Sequence, residues 1–259
     1  LALVNQKIDT TRTFTTDSAT AVYNVSSALG NTGVGKITVQ GATDGTNTST
    51  INMANHTGFV VGDGATVNLD TVNITGTKAE TGSLINNTAG TVNLNNVSVD
   101  TNTSDVIANN STMNLTGSND INSGITGTGT TNVKSGTSII DRITQKVVEI
   151  FGGAKLETET VTASEQVKNA GDLTITGTSN TSNITGTGST EFTNSVNNSG
   201  DISQDTVKVA SGKTLTTTGD ITTDTLTNGG TVTLNSDDTS LTIKGGTAEA
   251  PTTIGGTIN

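Results

Sequence analysis

The chain predicts an all-β fold, a right-handed parallel β-helix (β-solenoid), on three observations. One phrase recurs in constant phase, apolar and polar residues alternate strictly around it, and the composition is too poor in large side chains for a globular core. The phrase is TVNL at residues 66–69 and 91–94 and TMNL at residues 112–115. Each copy trails an apolar cluster: Phe59, Val60 and Val61, then Leu84 and Ile85, then Val106 and Ile107. The lead is nearly the same from Val61 to Val67, from Ile85 to Val92 and from Ile107 to Met113. The copies begin at Thr66, Thr91 and Thr112, a recurrence of about 20 to 25 residues that suits a solenoid turn and not a heptad or a hairpin.

Composition explains why such a design is needed. The 259 residues include 58 Thr, 31 Gly, 29 Asn and 22 Ser, with one Pro and 2% aromatics. Thr, Asn and Gly are poor helix formers, which disfavours a helical protein. Disorder is the rival reading, because low aromatic content and a net charge of -11 are among its marks. Placement argues against it, since Val, Ile and Leu fall at regular intervals. A narrow solenoid needs only about four to six inward apolar residues per turn, each contributing about 1.5 to 3 kcal/mol on burial.

Taken in order, residues 1–35 hold Phe14, Val22, Tyr23 and Val25 in a looser pattern and read as an N-terminal capping segment that shields an open strand edge. Residues 36–137 read as β-solenoid, with inward pairs Ile37 and Val39, Ile51 and Met53, Val67 and Leu69, Val72 and Ile74, Val92 and Leu94, and Val97 and Val99. Period-two alternation with Asn, Thr or Ser between them makes one face buried and the other wet. The corners are written in Gly and Asn, which tolerate positive φ.

Residues 138–168 break the style and form a charged irregular or helical insertion. Nine of the chain's 35 charged residues fall there. Ile139, Ile143, Val147 and Phe151 are spaced by four, Ser138 and Asp141 resemble a capping box, and Gly152 and Gly153 supply a stop. Two readings stay open: a short helix or extruded loop around 139–151, or one more solenoid turn with charged loops. Residues 169–259 continue the solenoid. There the phrases NAGDL, NSGDI and NGGTV, beginning at Asn169, Asn198 and Asn228, recur at nearly equal intervals and read as one corner used three times. At about 22 residues per turn the chain would make about eleven or twelve turns.

Phrases such as NGGTVTL from Asn228, SGKTLTTTGDI from Ser211 and AGTVNLNNVSV from Ala89 resemble the passenger regions of bacterial autotransporters and of haemagglutinin-like exoproteins. The similarity covers residues 36–137 and 169–259 and lies in the style of the turns. It implies an exported rod, extracellular or displayed at the bacterial cell surface, that acts in adhesion, aggregation or biofilm. Its partners would be host or cell-surface glycans or proteins, or identical rods on neighbouring cells. The absence of Cys agrees with export in an unfolded state. A start at Leu1 and the lack of a barrel-forming C-terminal segment predict a passenger fragment without its translocator.

The same residues bear on chemistry. With 12 Lys and Arg against 23 Asp and Glu the chain lacks the electrostatic footprint of a nucleic-acid binder, and no run is apolar and long enough to cross a membrane. Asp63, Asp70, Asp100, Asp105, Asp201 and Asp205 fall in different phases of the repeat and read as solvated turn acids, not as a paired glycosidase set. The lone His56 reads as a turn or core residue, and neither a metal nor another cofactor is expected. Thr-x-Thr phrases at residues 126, 174, 185, 214, 223 and 231 do not recur at one spacing, against an ice-binding ladder. The expected function is therefore non-catalytic: an adhesin or self-association module, with the structural subunit of a surface layer or filament as the alternative. The contact residues expected are Arg142, Lys146, Glu149 and Lys155, in the segment where the repeat fails.

Overall fold

The computed structural model describes residues 2–3, 12–15, 22–25, 36–41, 50–52, 59–75, 83–100, 107–245, 253–254 and 256–259. These residues form a parallel β-solenoid of about nine turns and contain no helix. Two compact units divide the chain, the first made of Leu1–Asn132 with Gly136–Gln145 and the second of Val133–Ser135 with Lys146–Asn259.

In the first unit each turn offers three strand segments. The TVNL phrases form one column, in which Val67 lies beside Val92 and Val92 beside Met113, while Leu69, Leu94 and Leu115 stack likewise. A second column stacks Ile74, Val99 and Ile121, and a third stacks Phe59, Ile85, Ile107, Ile125 and Ile143. The stacked aliphatic residues and Phe59 are buried, so each turn covers the apolar face of the next. The predicted alternation is observed: Thr66–Thr75 and Thr91–Asp100 each read outward, inward, outward, inward, with two consecutive outward residues in the middle. That double step marks a corner. Thr71 and Asn96 sit there at φ 57° and 53°, and Gly117 and Gly136 take φ 69° and 73°. A Cβ on Gly117 would lie 2.3 Å from Asn96 Oδ1, and one on Gly136 would lie 2.0 Å from the Gly117 carbonyl oxygen.

The second unit is tighter. Lys155, Asp172, Ser189 and Thr206 follow one another at the same place on successive turns, at equal intervals along the chain. Val167, Ile184, Ile202, Ile221 and Leu241 form one stack, and Ile175, Phe192 and Val209 belong to another. A separate five-stranded parallel sheet carries Val196, Leu215 and Val232.

About nine of the expected eleven or twelve turns lie within the described residues, and their length is not constant. Equivalent Asn residues lie 25, then 21, then 18 apart along the first unit. The three Asn phrases do not share a corner either. Asn169 closes Lys155–Asn169 ahead of Asp172–Ile175, Asn198 closes Val196–Asn198 ahead of Ile202–Val209, and Asn228 closes Ile221–Asn228 ahead of Thr231–Leu234. One turn here takes 18 residues from Asn180 to Asn198, and the next takes 19 residues from Asn198 to Thr217. The intervals from Asn169 to Asn198 and from Asn198 to Asn228 therefore amount to about one and two-thirds turns, so the phrase visits all three corners once.

Residues 138–168 form no helix. Thr137–Ile150 and Lys155–Asn169 are strands of 14 and 15 residues, so of the two readings the structure takes the solenoid turn. The four residues spaced by four do not share a face: Ile143 alone is buried, because the strand turns corners at 141–142 and 146–147, where two consecutive residues point outward. The inward set is Ser138, Ile140, Ile143, Gln145, Val148 and Ile150, with Ile139 and Phe151 exposed.

Buried polar side chains hold the corners. Asn109 Nδ2 donates to Gln145 Oε1 at 2.7 Å, Gln145 Nε2 donates back to the Asn109 carbonyl at 3.2 Å, and Thr131 Oγ1 donates to Gln145 Oε1 at 3.3 Å. The second unit repeats the arrangement with Asn169, Gln204 and Thr190 at 2.7, 3.3 and 3.3 Å. Asn169 Oδ1 also accepts from the Gly171 N–H at 3.1 Å, as Asn228 Oδ1 accepts from Gly230 at 3.0 Å. A buried amide that lost such partners would cost about 1 to 3 kcal/mol, so these networks fix where each turn bends.

Candidate functional site

Outward residues of the first unit are occupied with one another. Asn68 Nδ2 donates to Thr38 Oγ1 at 3.0 Å, Asn93 to Asn68 Oδ1 at 2.7 Å, Asn114 to Asn93 Oδ1 at 2.7 Å and Asn132 to Asn114 Oδ1 at 3.0 Å. The Asn of each TVNL phrase is thus a rung of a ladder running from turn to turn. A neighbouring ladder joins Asp70, Asn95 and Thr116, and shorter links join Asn73 to Ser98 and Asp100 to Asn122. These amides and hydroxyls hold the stack together.

The second unit presents its free polar groups elsewhere. A trough of about 370 Å³ is walled by Glu149, Phe151, Gln166, Lys168, Thr185 and Thr187. The walls come as three pairs two residues apart, 149 with 151, 166 with 168 and 185 with 187, from three segments. Lys168 lies beside Thr185 in register, and the Ala170 N–H donates to the Ile150 carbonyl at 2.8 Å, which fixes the floor. Phe151 is 39% exposed, whereas Phe59 and Phe192 are fully buried. It opens a tight turn, closed by the Ala154 N–H on the Phe151 carbonyl at 2.9 Å and by Gly153 at φ 81°.

A second hollow of about 450 Å³ shares Ala170 and Thr187 with the trough and is walled by Asp172, Ser189, Asp205, Thr206 and Asp224. Two of its carboxylates carry counterions: Lys155 Nζ lies 3.8 Å from Asp172 and Lys244 Nζ lies 3.7 Å from Asp224. Both pairs are exposed, so each adds at most about 1 kcal/mol.

The expected contact residues separate into three situations. Arg142 is an exposed residue of the first unit, beside Gly124 in register. Lys146 pairs with Glu165 at 3.1 Å, and Lys155 pairs with Asp172. Of the four, Glu149 alone lines the trough. Gln166, Lys168, Thr185 and Thr187 were not singled out in the sequence, where Phe151 stood only as one of four apolar residues spaced by four; the trough's signal was Phe151 standing two residues after Glu149 at a Gly-Gly stop.

The acids considered for catalysis are spread out. Asp63 is exposed in the turn closed by the Ala65 N–H on the Gly62 carbonyl. Asp70 and Asp100 accept from outward Asn side chains, Asp201 accepts from the Asp220 backbone N–H at 2.9 Å, and Asp205 borders the second hollow. Asp105 and His56 lie outside the described residues. Among the described residues no group of three or more His, Cys, Asp and Glu is placed to hold a metal ion, and no helix is long and apolar enough to cross a membrane. Of the six Thr-x-Thr phrases, two align: Thr214 and Thr216 lie in register with Thr231 and Thr233. The misalignment expected from sequence spacing fails at this one place, because these strands are consecutive in the five-stranded sheet.

Comparison with protein-family models, with curated proteins and with solved structures finds no match in any of the three.

Proposed function

We propose that the chain is a non-catalytic, surface-exposed or secreted module of adhesion or self-association, built like the passenger of a bacterial autotransporter. It would act outside the cell or at the bacterial surface, on glycans or proteins of a host or neighbouring cell or on identical chains. The observation that supports this reading is the division of the outward polar residues. One set spans the turns and makes a stiff scaffold, while Glu149, Gln166, Lys168, Thr185 and Thr187 line an open trough with side chains that have no hydrogen-bond or ion-pair partner among the described residues. Stacked turns of this kind present shallow contacts on a firm base, and many copies on a surface turn weak contacts into avidity.

Beads coated with the whole chain test the reading. Beads that clump, or adhere to cells or to a glycan-coated surface, support it. Fibres assembled by the purified protein without any ligand favour the alternative, a structural subunit of a surface layer or filament, in which strand edges pair between chains. Chains that remain dispersed and leave coated beads inert contradict both.

A further inference from the structure

We infer that the trough around Phe151 is a binding site for a neutral oligosaccharide, with the second hollow receiving the sugar units that extend from it. The inference rests on the adhesion reading for its biological setting but on the geometry of the second unit for its chemistry.

The ring comes first. Single apolar side chains at a surface need no explanation, but Phe151 is exposed while walling a cavity. The face of an aromatic ring is electron-rich, and the C–H groups on one side of a pyranose form an apolar, weakly positive plate that packs against it. The rim of such a sugar is a ring of hydroxyls, each a donor and an acceptor. Glu149, Gln166, Lys168, Thr185 and Thr187 wall the same trough. Their side chains supply a carboxylate, an amide, an ammonium and two hydroxyls, covering both needs. No hydrogen bond or ion pair within the described residues occupies them, in contrast to the outward Asn ladder of the first unit.

Volume and charge narrow the ligand. At about 370 Å³ the trough falls in the range of small-ligand pockets, roughly 300 to 1,000 Å³. Glu149 and Lys168 balance in charge, so the trough favours neither sign. The adjoining hollow holds Asp172, Asp205 and Asp224, and Asp172 and Asp224 are already matched by Lys155 and Lys244. Asp205 leaves a net negative charge where the chain of sugars would continue. Uronates and sialylated glycans are disfavoured there, and neutral hexoses or N-acetylated amino sugars are accepted.

Gly152 supplies an independent observation. A Cβ on Gly171 would stand 2.2 Å from the Ala154 carbonyl oxygen, and one on Gly188 would stand 2.3 Å from that of Gly171, so packing demands glycine at both. At Gly152 a Cβ would meet only the Ala170 carbonyl oxygen, at 3.7 Å, and no positive φ is imposed. Neither packing nor backbone requires this glycine. Its effect is to leave the trough beside Phe151 open.

Titration of the whole chain with maltotriose, cellotriose, mannotriose and triacetylchitotriose, followed by amide chemical shifts, tests the inference, with sialyllactose and trigalacturonate as anionic comparisons. At least one neutral trisaccharide is expected to bind in the high-micromolar to millimolar range, shifting the amides of residues 149–152, 166–168 and 185–187. Phe151→Ala and Gly152→Val should each weaken that binding about tenfold while keeping the circular dichroism of the parent. No shift with any neutral trisaccharide at about 10 mM, shifts confined to other turns, or tighter binding of an anionic glycan would overturn the inference. Bead assays separate it from the adhesion reading. Adhesion that persists in Phe151→Ala sinks the trough and spares the module, whereas trisaccharide binding by a chain that never adheres does the reverse.

Discussion

In the first unit Asn68, Asn93, Asn114 and Asn132 each donate a side-chain hydrogen bond to the preceding turn, while in the second unit Gln166 and Glu149 face a trough with no such partner. Both sets are polar and lie next to buried aliphatic residues of their strands, so hydropathy treats them alike. The difference lies in what meets what on the neighbouring turn. In the first unit Asn faces Asn at the same place and the two amides bond. In the trough Lys168 lies beside Thr185 and Thr185 beside Ser203, pairs whose side chains make no such bond. An outward polar residue on a solenoid is therefore committed to the scaffold only where its neighbour one turn away matches it in reach and hydrogen-bonding capacity.

The largest effect that bears on this comparison lies inside the units. Gln204→Leu takes from Asn169 Nδ2 one of its acceptors, leaving it the Ser189 carbonyl, and from the Thr190 hydroxyl its acceptor, and is expected to cost about 2 to 4 kcal/mol in chemical denaturation. Gln145→Leu should cost a similar amount, because Asn109 and Thr131 hold it in the same way. A silent Gln204→Leu would remove the corner networks from the account. Next comes a paired glycine test. Gly171→Ala should lose about 1 to 3 kcal/mol through its clash with the Ala154 carbonyl, and Gly152→Ala should stay within about 0.5 kcal/mol of the parent. Equal losses would mean that Gly152 is kept for the fold.

The outward residues give a smaller contrast. Asn93→Ala removes one hydrogen bond to Asn68 and one from Asn114, and should destabilise by about 0.5 to 1.5 kcal/mol. Gln166→Ala should change stability by less than about 0.5 kcal/mol and act instead on binding. The smallest effect is at the corner. Thr71 holds φ 57°, an unfavourable state for a β-branched residue, and Thr71→Asn should raise stability by about 0.5 kcal/mol, since Asn enters that region more readily. A loss there would mean that the Thr71 hydroxyl bond to Asp70 at 2.8 Å outweighs the strain.

Much of the scaffold was legible in the sequence. Val67, Leu69, Val92 and Leu94 announce an inward face by alternation alone, and alternation depends only on adjacent residues. The ladder partner of Asn93 was not legible, because Asn68 and Asn114 lie 25 and 21 residues away and the length of a turn must be known to find them. The corner at Asn198 was misplaced for the same reason: the interval from Asn169 fits one turn of a wide coil or one and two-thirds turns of a narrow one. Around residues 139–151 a spacing of four suited a helix, and the strand's corners at 141–142 and 146–147 carried no local sign. Only the neighbouring turn decides, placing Ile140 beside Ile121 and Ile143 beside Ile125. Glu149 was found by its charge and Phe151 was noticed for its spacing, but the trough joins residues from three segments that no local pattern links.

The division between committed and free polar groups can be read directly from the exchange of side-chain amide protons with solvent. The Nδ2 protons of Asn93 and Asn114 are expected to exchange well below the rate of an exposed amide, while the Nε2 protons of Gln166 exchange at that rate and slow only when a neutral trisaccharide is added. Exchange at Asn93 and Asn114 as fast as at Gln166 would contradict the account, and so would a Gln166 amide already protected in the free protein.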